Sequence, residues 1–84
     1  MELYKQIQSY RTDMNLSQEE LAEKIYVTRQ TISNWENDKS YPDIHSLLLL
    51  SSTFHISLDQ LIKGDITTMK EEISKEAIQK FNRD

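Results

Sequence analysis

The sequence predicts an all-α protein: a compact bundle of five helices with an additional C-terminal amphipathic helix. Three observations carry that prediction. Apolar residues recur every three or four positions, helix start signals recur along the chain, and no run alternates over strand length.

Leu3, Ile7, Tyr10 and Met14 fall at helical spacing, so residues 2–13 read as the first helix. Ser17 and Glu20 have the spacing of a capping box, and Leu16 and Leu21 flank it as a hydrophobic staple, which opens a second helix over 17–25. Thr28 repeats the device with Val27 and Ile32 as staple, for a third helix over 28–37. Only Tyr26 and Val27 separate the two, so they must cross steeply, as a helix-turn-helix. Pro42 and Asp43 open a fourth helix over 43–54, with Asp43 as its cap. Ser57 and Gln60 form another box, with Ile56 and Leu61 as staple, and start a short fifth helix. Gly64, the single glycine, suits a left-handed position ending it. A narrow stripe then follows, Ile66, Met69, Ile73, Ala77 and Phe81, with Thr68 and Glu71 as a capping box. Residues 1–64 are therefore expected to form one domain, and 65–84 an amphipathic helix or linker that needs a partner surface.

Composition narrows the function. Eighty-four residues give one domain with a modest core. No cysteine is present, so disulfides and thiolate metal sites are excluded, which fits a cytoplasmic protein. Met1-Glu2-Leu3 lacks the basic start and apolar stretch of a signal peptide, and the longest apolar run, Leu47 to Leu50, is too short to span a membrane. His45 and His55 stand ten residues apart without an acidic cluster between them, so no metal site is expected. No nucleophile, base and stabiliser fall together, so no catalytic residue and no cofactor are expected. The net charge is −4, with six Lys/Arg against nine Asp/Glu in residues 1–63. Non-specific attraction to phosphate is therefore weak. The charges are segregated, however: Glu19, Glu20 and Glu23 crowd the second helix, while Arg29 and Lys39 flank the third.

The third helix carries the residue types that read bases: Arg29, Gln30, Ser33 and Asn34. Arg forks onto guanine O6 and N7, and Gln onto adenine N6 and N7. Together with the stretches L-S-Q-E-E-L-A, V-T-R-Q-T-I-S-N-W-E, K-S-Y-P-D-I and S-L-D-Q-L, residues 3–63 resemble the Cro- and repressor-like, or XRE, helix-turn-helix family. The resemblance implies a repressor-like bundle that binds double-stranded DNA sequence-specifically as a homodimer on two half-sites. It implies roles residue by residue. Gln18 touches a phosphate, and Thr28 caps the third helix beside the backbone. Arg29 and Gln30 read base edges. Thr31 adds a methyl contact and Asn34 reaches a further base. Asn37 and Lys39 hold the phosphate strand, and Arg11 pairs with Glu36 between the first and third helices. The chain departs from the family at four places. Tyr26 and Asp38 stand where glycine is usual or frequent, and Leu49 and His55 where Lys and Gly are common.

The function expected is a transcriptional regulator, in the first instance a repressor. Two alternatives stay open: an antitoxin-like module gripping a protein partner through residues 65–84, and the DNA-targeting head of a longer sensor protein. For the core, Ile32 and Trp35 are expected at the centre with Leu21, Ala22, Leu47 and Leu48. Leu49, Phe54, Leu58 and Ile62 then exceed what one small core needs, and are expected at a dimer surface.

Overall fold

The structure is a computed structural model and describes residues 2–65. Within them the chain forms α1 (Leu3–Asp13), α2 (Gln18–Lys24), α3 (Arg29–Glu36), α4 (Ile44–Phe54) and α5 (Leu58–Leu61), with no strand among the described residues. Four of the five helices start on a side chain named by the sequence pattern. Ser17 Oγ accepts the Glu20 N–H while Glu20 accepts the Ser17 N–H, both at 3.0 Å, which closes the capping box. Those bonds hold the Glu20 carboxyl below its ordinary range. Thr28 Oγ1 accepts the Thr31 N–H, Asp43 Oδ1 the Ser46 N–H, and Ser57 Oγ the Gln60 N–H.

The core is a single cluster. Ile7, Leu21, Ile32, Leu50 and Leu61 have no exposed surface, and Leu3, Ala22, Ile25, Trp35, Leu47 and Phe54 complete it. α1 lies at its centre, touching α3, α4 and α5, while α2 and α3 pack on each other. Tyr10 stacks on Phe54 with ring centroids 5.4 Å apart.

Three expectations are corrected. Leu48 is half exposed, not core. In the Leu47–Leu50 run the positions three apart, Leu47 and Leu50, share the buried face, and Phe54 continues it one turn on. Phe54 is thus core rather than spare surface, and Leu49, Leu58 and Ile62 are partly buried against that core. Gly64 is not left-handed. No glycine has positive φ, and residues 63–65 are helical. Glycine fits there because a Cβ on it would stand 2.9 Å from Glu2 Cβ. The left-handed positions fall instead on Asn15, Tyr26, Asp38 and His55. Asp65 is buried: it accepts the Glu2 N–H and, at 3.1 Å, the Tyr41 hydroxyl. The stripe from Ile66 to Phe81 lies outside the described residues.

Candidate nucleic-acid interface

The turn between α2 and α3 is four residues long: Ile25, which caps the end of α2, then Tyr26, Val27 and the cap Thr28. Tyr26 has φ 62° and is 85% exposed, so its backbone makes the sharp reversal while its ring stays in solvent. Val27 donates its N–H to Ala22 O at 3.0 Å, which closes the end of α2. Thr28 Oγ1 also lies 2.9 Å from Thr31 Oγ1. These local bonds start α3 at Arg29, with Arg29 and Gln30 exposed in its first turn and Ile32 buried in the core.

α3 has two faces. Ile32, Trp35 and Glu36 are buried. Arg29 and Gln30 are exposed, and Thr31, Ser33 and Asn34 are half-buried. Gln30 Nε2 donates to Asn34 Oδ1 at 3.1 Å, so these two side chains stand together one turn apart. Asn37 turns back: its Nδ2 reaches Ser33 O at 2.9 Å and Ser33 Oγ at 3.2 Å, covering the end of the helix. Lys39 is exposed, and its backbone N–H reaches Asn34 O at 2.9 Å. The structure therefore brings Arg29, Gln30, Ser33 and Asn34 onto one helix surface. Thr31 lies beside its cap, and Asn37 and Lys39 lie at the far end.

Beneath this surface sits a charged group. Arg11 Nε reaches Glu36 Oε2 at 2.7 Å and Nη2 reaches Oε1 at 3.0 Å, a bidentate pair between α1 and α3. Arg11 Nη1 also donates to Leu16 O at 2.8 Å. The Glu36 hydrogen bonds hold the guanidinium above its ordinary pKa. Gln18 Nε2 donates to Glu36 Oε1 at 3.2 Å. The Arg11–Glu36 pair follows the family pattern, but nothing in the sequence pattern pointed to Gln18 joining it, since the two residues lie eighteen apart on different helices. Electrostatically, Glu36 is the one carboxylate on α3, and it is neutralised in place. The exposed side of α3 presents no acid to a polyanion.

A steeply crossed helix pair with amide and guanidinium groups on the outer face of its second helix defines a helix-turn-helix DNA-binding domain. The helix-turn-helix family model matches residues 7–61. The chain belongs to that family, in its Cro- and repressor-like, XRE-type form. It is 40% identical over 82 residues to the HTH-type transcriptional activator BcrR of Enterococcus faecalis, covering 96% of this chain and 40% of BcrR. It is 35% identical to the transcriptional regulator ImmR of Bacillus subtilis, covering 86% of this chain and 57% of ImmR. The chain thus spans about half the length of these curated relatives. Among solved structures, the c2 repressor of Salmonella phage P22 in complex with a synthetic operator superposes with TM-score 0.70 at 31% identity, covering 74% of this chain and 94% of that one. No described helix is long and apolar enough to cross a membrane.

Proposed function

We propose that this protein regulates transcription in the cytoplasm by laying α3 in the major groove of an operator, as a homodimer on two half-sites about one helical turn apart. Arg29, Gln30 and Asn34 read base edges, and Thr31 and Ser33 add shorter-range contacts. Gln18, Thr28, Asn37 and Lys39 hold the phosphate strand. The observation that carries this reading is the outer face of α3, where the exposed Arg29 guanidinium and Gln30 carboxamide stand beside the half-buried Asn34 carboxamide on a helix whose other face is locked into the core. Such groups match the donor and acceptor pattern of the major groove. The P22 c2 repressor, of like fold, is solved on an operator.

The charge balance sharpens the reading. With a net charge of −4, the chain gains little from phosphate attraction, so affinity must come from matched base contacts and from pairing two half-sites. Repression by occupying a promoter is the simplest output, and residues 65–84 supply an added clasp between the two copies. Selection of random duplexes with purified protein tests the whole: a two-fold symmetric site supports it. Recovery of unrelated sequences, or of a site with no symmetry, would sink the dimeric, base-reading mode. A promoter fusion carrying the recovered site gives the sign of regulation.

A further inference from the structure

We infer that Glu36 is a positioning residue for the DNA-backbone contact of Gln18: it sets which end of the Gln18 carboxamide faces the phosphate strand. The inference rests on the proposed phosphate contact of Gln18. A carboxamide has one end that donates and one that accepts, and a phosphate takes only donors. A free glutamine presents either end. Here Gln18 is half-buried and lies 3.2 Å from Glu36 Oε1. An ionised carboxylate only accepts, so only the NH2 end of Gln18 can face it. One N–H is used on Glu36, and the second N–H of the same nitrogen remains for a phosphate oxygen. A reversed amide would set its carbonyl against the carboxylate.

Glu36 is suited to this because its own charge is balanced. The carboxylate is buried and gripped by Arg11 through both oxygens, at 2.7 and 3.0 Å, and Arg11 is itself fixed to Leu16 O. An unpaired Glu36 would repel the phosphate strand. Paired, it keeps its accepting edge toward Gln18 and adds little negative field. α1, α2 and α3 thus meet at one carboxylate, and the packing of α3 against α1 fixes the direction of a donor on α2.

The test is a cycle of substitutions read by DNA affinity and its salt dependence, with each variant measured well below its melting temperature. Gln18→Ala should lower affinity about tenfold on operator and random duplexes alike while leaving the salt slope unchanged, since a neutral carboxamide releases no counterion. Glu36→Gln should lower affinity about three- to tenfold in the parent chain, because the new amide accepts or donates and no longer dictates the partner's orientation. It should cost nothing further in the Gln18→Ala background. It should also cost nothing with Gln18→Lys, since an ammonium presents donors in every direction. Equal losses from Glu36→Gln in all three backgrounds would overturn the inference, because Glu36 would then act through the fold alone. No loss from Gln18→Ala would instead remove the phosphate role of Gln18 on which the inference depends.

Discussion

At the scale of single residues, the two most telling positions are tyrosines. Tyr26 occupies a left-handed backbone at φ 62° that costs a residue with a Cβ about 1–2 kcal/mol. Glycine removes that strain and costs about 0.5–1 kcal/mol in backbone entropy. Tyr26→Gly should therefore raise stability by about 0.5–1 kcal/mol in urea unfolding, and a loss would show that the ring contributes more than its exposure implies. The strain at Tyr26 was legible, because the family usually places glycine there. Tyr41 was not. Burial and the neighbouring Asp65 carboxylate push its phenol from 10.0 up to about 12. A raised acid favours the neutral form in the folded state, so its contribution to stability is complete below about pH 10 and is lost as pH climbs toward 12. Unfolding at about pH 9 and about pH 11.5 should show the parent losing more stability than Tyr41→Phe. Equal losses would show that the phenol carries no linked stability. Asp65 lies twenty-four residues from Tyr41 and sixty-three from Glu2, and no local pattern announces such a contact.

At the scale of helices, the start signals were readable because they are local. A cap oxygen and the N–H that donates to it lie three residues apart, so Ser17, Thr28, Asp43 and Ser57 could be placed from spacing alone. The faces were harder. Four consecutive leucines, 47 to 50, wrap the whole circumference of α4, and hydrophobicity cannot say which of them meets α1. The docking angle decides it, and that angle depends on residues far along the chain. The consequence is measurable. Leu50→Ala should cost about 2–5 kcal/mol, while Leu48→Ala, on the exposed side, should change stability by less than about 1 kcal/mol. Similar melting temperatures for the two variants would contradict the assigned face. The role of Gly64 was missed for the same reason: its close neighbour, Glu2, is at the other end of the chain.

At the scale of the whole molecule, the proposed function joins pairing of two copies to the charge balance. An acidic domain of this size reads few base pairs alone, and pairing two domains multiplies that reading. Ile44 and Leu48 leave apolar surface exposed on α4, which the proposed homodimer would have available to cover. Removing residues 66–84 should weaken self-association in sedimentation while leaving the melting of the remaining bundle nearly unchanged, since the buried apolar cluster of the described residues runs from Leu3 to Leu61. An unfolded truncated chain would place the missing segment inside the core instead. In the proposed mode it is the outer face of α3 that reads sequence. Its most direct measurement is the affinity of the parent and of Arg29→Ala for the selected operator and for random duplex DNA at one fixed salt concentration. The expected result is a loss of about 1–3 kcal/mol on the operator, confined to discrimination at one base pair in each half-site, with a much smaller loss on random DNA. Equal losses on both duplexes would contradict it, because Arg29 would then be holding phosphate rather than reading a base.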